Sequence, residues 1–314
     1  MSVEELTKGF KVGRRSVRIL NEISFSVSED SITAVIGPNA CGKTTLLRVI
    51  AGIVSPDSGR VLLDGVSLYS KLGKLRAKIG FVSPALDFHK KLSMGETLSY
   101  FEGIQSSSRE EIEGFLELMG MSEVADEKIE GFSEGQKMAL RIGCALMKKP
   151  SLLLLDEVTS PMDTERSERL INFLKDYSCR STILMIDHNP KVISRLADRF
   201  VLMRKNGSVM STGSMREFFE ATSQLYRLRV TTHDSVHPDF WESFGEKYEV
   251  GSDGSVSFSL ESREDVNRLM DQLGKYSGTV HSYEASVVTL ADLYEQWIRM
   301  AESPPDEAGE ENPE

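Results

Sequence analysis

The chain has 314 residues, of which 40% are hydrophobic and 27% charged, and its formal net charge is -11. This composition is ordinary for a folded protein, and the length allows one large domain and one small one. The acidic balance, without clustered Lys and Arg, argues against a nucleic-acid partner. The three cysteines (Cys41, Cys144 and Cys179) are widely separated and odd in number, which indicates a reducing compartment and no disulfide framework.

Hydropathy along the chain predicts neither a membrane span nor a signal peptide. No apolar run approaches the ~20 residues that cross a bilayer. The N-terminal segment MSVEELTKGF lacks the apolar core of a signal peptide. We therefore expect a cytosolic protein that contacts a membrane only through a partner.

The first predicted elements are a strand, a loop and a helix in that order. VRILNEISFSV alternates in the manner of an antiparallel strand, and ITAVIG is a short β-rich run that ends at Gly37. In TTLLRVIAGI the apolar residues Leu46, Leu47 and Ile50 have helical spacing. The loop between this strand and helix contains glycine.

Residues 92–149 are predicted to be mainly helical. Ser108 and Glu111 have the spacing of a capping box, and a later helix through KMALRIGCALMKK stops before Pro150. SLLLLDE and STILMID have the length of fully buried parallel strands, with a helix between them. These elements predict an α/β domain that contains a mixed sheet, with a helical lobe inserted at residues 92–149.

The pattern changes after about residue 221. The runs LYRLRVTT, PDFWESFGEKY, YEV, VSFSLES, REDVNRLMDQLGKY and TVHSYEA predict β-α-β-β-α-β, the ferredoxin-like order. A last amphipathic helix is predicted through LADLYEQWIRM. We therefore divide the chain into a large domain (1–221), a small α+β domain (222–301) and an acidic tail (302–314) that we expect to be disordered.

The loop after ITAVIG matches the phosphate-binding pattern G-x-x-x-x-G-K-[ST] between a strand and a helix. Its backbone N–H groups and the helix N-terminus would face the phosphates, Lys43 would neutralise them, and the Thr44 hydroxyl would bind Mg²⁺. A chance glycine-rich turn is the alternative, and the strand–helix context makes it rare. The residues expected to bind nucleotide here are Gly37, Pro38, Asn39, Ala40, Cys41, Gly42, Lys43, Thr44 and Thr45.

LLLLDE ends in two acidic residues, Asp156 and Glu157. The carboxyl end of a buried parallel strand faces the crevice in which such sheets bind ligands. Asp156 would hold Mg²⁺, through water, and Glu157 would be the general base for the attacking water. Without the phosphate loop, a strand end that reaches solvent would explain the two acids equally well.

The segment Phe132-Ser-Glu-Gly-Gln136 resembles the LSGGQ signature of ABC ATPases, and it lies between the phosphate loop and LLLLDE, as in that family. The resemblance covers about residues 1–220. It implies that Ser133, Gly135 and Gln136 bind the γ-phosphate held by a second subunit. An N-cap serine before a helix is also compatible with this segment.

Other positions match the same family. Asp163 ends Ser160-Pro-Met-Asp, which is similar to the D-loop, and His188 follows ILMID where the family has its switch histidine. Phe10 resembles the aromatic residue that stacks on adenine. A lone His or Phe would ordinarily be attributed to packing, and it is their order along the chain that favours function here.

The resemblance implies an ATP-hydrolysing subunit of an ABC transporter. Two copies would sandwich two molecules of ATP with Mg²⁺ and power export through a separate membrane permease, at the inner face of the cell membrane. The small domain resembles those appended to ATPases of drug, polysaccharide or lipid exporters. A permease-independent soluble ABC protein and a slow regulatory nucleotide-binding subunit are the alternatives.

Three positions depart from the family pattern. Ungapped alignment puts Pro84 where the family has Gln or sometimes Glu, so a polar group near Mg²⁺ is missing and we expect slow hydrolysis. Ala40 replaces a loop glycine, which is tolerable only if the backbone there is not left-handed. Glu134 replaces the first signature glycine and would repel a γ-phosphate unless its carboxylate points away.

Overall fold

The chain folds into two compact units, residues 1–215 with 294–314, and residues 216–293. The computed structural model describes residues 1–13, 15–105, 109–217, 226–232, 236–251, 253–276, 279–287, 295, 297–299, 301 and 302.

An antiparallel sheet begins the first unit. Its strands are β1 (Ser2–Val12), β2 (Arg15–Ser26), β4 (Ser58–Leu63) and β5 (Val66–Ser67), in the order β2-β1-β4-β5. The alternation that predicted an antiparallel strand in VRILNEISFSV corresponds to β2, which pairs with β1. Its residues Leu20 and Ile23 are fully buried and belong to the core of this unit.

A six-stranded, mostly parallel sheet forms the centre of the first unit. Its strands are β3 (Ile32–Ile36), β6 (Ile79–Val82), β7 (Leu152–Asp156), β8 (Thr182–Ile186), β9 (Arg199–Met203) and β10 (Val209–Ser214), in the order β10-β9-β3-β8-β7-β6. Only the edge pair of β9 and β10 is antiparallel. Every residue of β3, β7 and β8 is buried, which explains their continuous apolar runs. Each leucine buried in this way stabilises the fold by about 2 kcal/mol.

The register of the parallel strands brings their carboxyl ends to one edge. Val82 pairs with Leu155, and Asp156 pairs with Ile186. The residues that follow these pairs are therefore neighbours at the edge where parallel sheets bind ligands.

Seven α-helices of the first unit have both ends within the described residues. They are α1 (Lys43–Ile50), α2 (Leu72–Arg76), α3 (Met94–Gln105), α4 (Arg109–Leu118), α5 (Glu134–Leu146), α6 (Thr164–Ser178) and α7 (Pro190–Leu196). The predicted helical lobe corresponds to α3, α4 and α5. The predicted capping box at Ser108 lies outside the described residues. Among the residues that the structure describes, no helix is long and apolar enough to span a membrane.

The end of the chain returns to the first unit. The ring of Trp297 lies 4.8 Å from that of Phe200, and the N–H of Lys205 donates to the carbonyl of Ala301 at 2.9 Å. Residues from 294 onward thus belong to the first compact unit, whereas the sequence-based division placed residues up to 301 in the small domain. The predicted helix LADLYEQWIRM and the acidic tail fall largely outside the described residues.

The second unit contains β11 (Tyr226–Thr232), α8 (Pro238–Glu242), β12 (Tyr248–Val250), β13 (Val256–Leu260), α9 (Arg263–Leu273) and β14 (Val280–Val287). Its strands are antiparallel in the order β12-β13-β11-β14, which is the ferredoxin-like arrangement. Leu228, Val230 and Phe258 are fully buried in its core. α8 is shorter than the predicted helix because Gly245, with φ 71°, adopts the left-handed conformation that ends helices.

Candidate functional site

The phosphate loop lies between β3 and α1 and surrounds Lys43. The Lys43 ammonium is buried and donates to the carbonyls of Gly37 at 2.7 Å and Pro38 at 2.9 Å. Burial lowers the pKa of Lys43 from its ordinary value of 10.5, and the nearby acidic groups Cys41, Glu157 and Asp156 oppose this. The loop therefore holds a cation at its centre through weak neutral acceptors, which a phosphate could replace.

Two positions in the loop have left-handed backbone. Gly42 has φ 106°, and a Cβ there would lie 2.9 Å from the carbonyl oxygen of Ile19, so glycine is required. Because Gly42 is the N-cap of α1 and has no side chain, the helix N-terminus lacks a side-chain cap and suits an anion. Ala40 has φ 62°. Our condition for tolerating alanine there is therefore not met, and Ala40 carries strain of about 1–2 kcal/mol.

Asp156 is held by two hydroxyl groups from different parts of the chain. Thr44 Oγ1 donates to Asp156 Oδ1 at 3.2 Å, and Ser83 Oγ donates to Asp156 Oδ2 at 3.2 Å. Burial raises the pKa of Asp156, and the hydrogen bonds from Ser83 and Thr44 act in the opposite direction. The carboxylate is thus buried at the sheet edge with both oxygens oriented.

Glu157 and His188 form a pair at the same edge. His188 Nε2 lies 2.9 Å from Glu157 Oε1, and both side chains remain partly exposed. The N–H of Glu157 donates to the carbonyl of Ile186 at 2.9 Å, which holds the start of this loop against β8. Glu157 has φ 52°, an unusual conformation for a residue other than glycine and one that is found at functional sites.

A buried hydrogen bond connects the two loops that carry this pair. Thr159 Oγ1 donates to Asp187 Oδ2, and the N–H of Asn189 donates to Asp187 Oδ1 at 2.8 Å. Burial raises the pKa of Asp187, whereas the hydrogen bonds from Thr159 and Asn189 lower it. Sequence reasoning missed this contact, because the two residues are far apart in the chain and belong to no recognised pattern.

A cavity of about 320 Å³ is lined by half of the predicted nucleotide-binding residues, together with Glu157 and His188. This volume lies at the lower end of the range for small-molecule sites. Phe10 is half-exposed in it, and Lys8 Nζ lies 5.4 Å from the centre of the Phe10 ring. The lining residues are Phe10, Ile19, Asn39, Ala40, Gly42, Lys43, Thr44, Thr45, Glu157 and His188.

The signature segment lies at the start of α5. Ser133 is the N-cap, and it exchanges hydrogen bonds with Gln136 in a capping box. A Cβ at Gly135 would lie 3.0 Å from the carbonyl oxygen of Pro161, so this glycine permits close packing. Of the described residues that line the cavity around Lys43, none belongs to this segment.

Asp163 is also separate from that cavity. It is the N-cap of α6, where its carboxylate accepts from the N–H of Arg166 at 2.8 Å. This backbone hydrogen bond lowers the pKa of Asp163. The structure gives Asp163 a capping contact, and it does not line the cavity around Lys43.

The charge of Glu134 is compensated within α5. Its carboxylate is 66% exposed, accepts from Lys137 Nζ at 2.8 Å and lies 4.0 Å from Arg141. The hydrogen bond from Lys137 lowers the pKa of Glu134. The carboxylate is paired with neighbouring cations, which reduces the repulsion that the sequence suggested.

Pro84 is exposed and follows the buried Ser83. Sequence alignment drew attention to Pro84 and missed Ser83, whose hydroxyl reaches Asp156. The sequence nevertheless contained one signal that pointed to Ser83. Ser83 is the first polar residue after the apolar strand β6, at the carboxyl edge of the sheet.

The residues at the sheet edge fit a magnesium–nucleotide complex better than an all-protein metal cage. Within the described residues, no group of three or more His, Cys, Asp or Glu side chains could hold a metal ion. Mg²⁺ is typically held by one or two carboxylates together with substrate phosphates and water. Asp156 and Thr44 beside the phosphate loop supply that donor set.

Comparison with known proteins identifies the family. Residues 20–160 match the family model described as ABC transporter. The chain is 31% identical over 251 residues to the methionine import ATP-binding protein MetN of Corynebacterium diphtheriae, which covers 76% of this chain and 74% of that protein. It is 31% identical to the phosphonates import ATP-binding protein PhnC of Treponema denticola, over 68% of this chain and 89% of the relative. A MetN protein of Corynebacterium jeikeium is 32% identical, and the match spans 61% of its length.

Solved structures agree with this assignment. A dimeric ATP-binding cassette in a post-hydrolysis state, bound to ADP and Pi, is 25% identical with a TM-score of 0.61, covering 68% of this chain and 98% of the other. The protein cbiO1 of Clostridium perfringens, part of the ABC transporter complex cbiONQ, is 28% identical with a TM-score of 0.58, covering 70% and 90%. The chain therefore belongs to the ABC transporter family of ATP-binding ATPases.

Proposed function

We propose that this chain is the motor subunit of a transporter, in which two copies bind and hydrolyse two molecules of ATP with Mg²⁺. The observation that carries this proposal is the convergence of Lys43, Thr44, Asp156, Glu157 and His188 at one edge of the sheet. A buried cation, an oriented carboxylate and a second, more exposed carboxylate are the groups that phosphoryl transfer to water requires.

Each side chain has a separate role. Lys43 exchanges its contacts with loop carbonyls for the β- and γ-phosphates, and Phe10 stacks on the adenine ring. Thr44, and Asp156 through water, would hold Mg²⁺, which would neutralise phosphate charge. Glu157 accepts a proton from the attacking water, and the hydrogen bond at 2.9 Å from His188 orients the Glu157 carboxylate.

The position of the signature segment supports a dimer. Ser133, Gly135 and Gln136 do not line the cavity that contains Lys43 of the same copy. The N-terminus of α5 is nevertheless exposed at Ser133, where a phosphate held by a second copy could reach it. A solved relative is itself described as dimeric. Two-fold symmetry would then complete two identical sites.

An aromatic surface supports a membrane partner. Tyr100 is 64% exposed, and the rings of Phe88 and Phe101 lie 6.4 Å apart. Leu86, which is 41% exposed, precedes Phe88 in the same loop. Tyr100 and Phe101 have ring centres 5.7 Å apart. Exposed aromatic and aliphatic groups of this kind are typical of protein interfaces. We propose that a permease contacts this surface, and that this contact holds the subunit at the cytoplasmic face of a membrane.

The direction of transport requires its own experiment. Export, which we expected from the sequence, stays a prediction, and several relatives are named as import proteins. Transport into or out of vesicles that contain the complete complex would determine the direction.

Mixing two inactive variants tests the dimer directly. Each proposed site combines Lys43 of one copy with Ser133 of the other. A heterodimer of Lys43→Ala with Ser133→Ala therefore contains one site in which both residues are intact. We expect each variant alone to be inactive, and an equal mixture to recover about a quarter of the wild-type ATPase rate if the sites act independently.

A matched control uses two residues that belong to the same site of one copy. A mixture of Lys43→Ala with Glu157→Gln leaves no intact site in any dimer, so it should not recover activity. Recovery of ATPase activity in this control would contradict the proposed arrangement. So would a lack of recovery in the mixture of Lys43→Ala with Ser133→Ala.

A further inference from the structure

Ser83 occupies a buried position at the carboxyl end of β6. Its relative exposure is 2%, and its hydroxyl donates to Asp156 Oδ2 at 3.2 Å. The N–H of Ala85 donates back to Ser83 Oγ at 3.4 Å. The pairing of Val82 with Leu155 places Ser83 directly beside Asp156, so the contact follows from the strand register.

The two hydroxyls on Asp156 differ in their surroundings. Thr44, on Oδ1, lines the cavity around Lys43, and Ser83, on Oδ2, does not. Thr44 can therefore exchange Asp156 for a ligand that enters the cavity. Ser83 can keep its hydrogen bond throughout, because it contacts the carboxylate from the buried side.

We propose that Ser83 is a positioning residue that keeps the Asp156 carboxylate in the orientation needed for Mg²⁺ when Mg²⁺ and ATP bind. This inference rests on the proposed role of Asp156 as a metal-binding carboxylate. The next residue, Pro84, is exposed and has no polar side-chain group. Hydrogen-bond partners of ligating carboxylates typically change metal affinity or activity by 10- to 100-fold when they are removed.

The test measures binding of N-methylanthraniloyl-ATP to the full chain as Mg²⁺ is titrated. We expect Ser83→Ala to raise the Mg²⁺ concentration that supports half-maximal binding by about tenfold. Affinity for the analogue without Mg²⁺ should stay within about twofold of wild type, because Lys43 is retained. Ser83→Thr keeps a hydroxyl and should restore most of the Mg²⁺ response.

Ser181→Ala is the matched control. Ser181, immediately before β8, is buried to a similar degree, and its hydroxyl has no hydrogen-bond partner within the described structure. The Ser181→Ala variant should therefore bind the nucleotide analogue with the wild-type dependence on Mg²⁺. If Ser83→Ala does not fold, Ser83→Cys, which keeps the volume with a weak donor, carries the same expectation.

Asp156→Asn separates this inference from the proposed function. If Asp156→Asn changes the Mg²⁺ dependence and Ser83→Ala does not, the role of Ser83 is wrong and the proposed site stands. If neither variant changes the Mg²⁺ dependence, the assignment of Asp156 as a metal-binding carboxylate is itself wrong. A lowered melting temperature of Ser83→Ala with an unchanged Mg²⁺ response would also overturn the positioning role.

Discussion

Two halves of the predicted nucleotide site differ in how the fold holds them. In the sheet-edge half, formed by Lys43, Asp156 and Glu157, hydrogen bonds from Thr44 and His188 connect the two carboxylates to distant parts of the chain. The helix-end half, formed by Ser133 and Gln136, is capped by its own side chains and remains at the surface. The first half is assembled within one copy, whereas the second is the half that we propose to act on a nucleotide held by a second copy.

The difference has a physical cause. Parallel strands bring residues from separate loops to one edge, where the buried Asp156 carboxylate needs hydrogen-bond donors from other parts of the chain. A helix N-terminus requires only local partners for its free N–H groups, which a capping box supplies. We therefore expect substitutions in the sheet-edge half to affect nucleotide chemistry within each copy. Substitutions in the helix-end half should act through dimerisation.

The largest expected effect is on the chemical step of the sheet-edge half. Glu157→Gln removes the general base but retains Lys43 and Asp156, so ATP hydrolysis should slow by about 1000-fold while binding persists. An ATP-bound dimer should accumulate in size-exclusion chromatography with ATP and Mg²⁺. Glu165→Gln, an exposed carboxylate on α6, is the control and should leave the rate unchanged. Hydrolysis by Glu157→Gln at the wild-type rate would mean that another group is the base.

Nucleotide affinity within one copy should depend strongly on the sheet-edge half. Lys43→Ala removes the buried cation of the phosphate loop, and we expect affinity for a fluorescent nucleotide to fall about 100-fold. Lys175→Ala, at an exposed position of α6, should bind normally. Unchanged binding by Lys43→Ala would remove the basis for assigning this loop to phosphates.

A smaller effect is expected at the margin of the sheet-edge half. Pro84→Gln would add an amide beside Ser83, and a single new hydrogen bond of about 1 kcal/mol corresponds to a gain of about fivefold in turnover. Pro84→Ala controls for the freer loop, since loss of proline alone should not shift the dependence of the rate on Mg²⁺. If neither turnover nor Mg²⁺ dependence changes in Pro84→Gln, Pro84 does not occupy the family's glutamine position.

The smallest effect concerns strain in the phosphate loop. Ala40→Gly should increase the free energy of unfolding by about 0.5–1 kcal/mol, because relief of the left-handed backbone exceeds the added flexibility of the unfolded chain. Ala77→Gly is the control. Ala77 has φ -63°, which alanine adopts without strain, so this substitution should lower the free energy of unfolding by a similar amount. Urea unfolding of both variants measures the difference. A destabilised Ala40→Gly would show that the loop accommodates alanine without strain.

Much of this molecule could be predicted from short segments. The glycine spacing around Lys43, the apolar run that ends at Asp156 and the Ser133 signature each lie within a few residues of sequence. The buried strands and the helical lobe follow from hydropathy and helical periodicity in the same way. These features depend on local conformation and on burial, which neighbouring residues largely determine.

The remaining contacts depend on strand register and could not be deduced from any one segment. Ser83 meets Asp156 because β6 pairs with β7, and Thr159 meets Asp187 because β7 pairs with β8. The left-handed backbone at Ala40 likewise became visible only in the folded loop. The sequence by itself determined the family, the phosphate loop and the acidic strand end, since each is a local pattern. The tertiary structure alone decided which hydroxyl holds which carboxylate, because pairing between distant strands selects those partners.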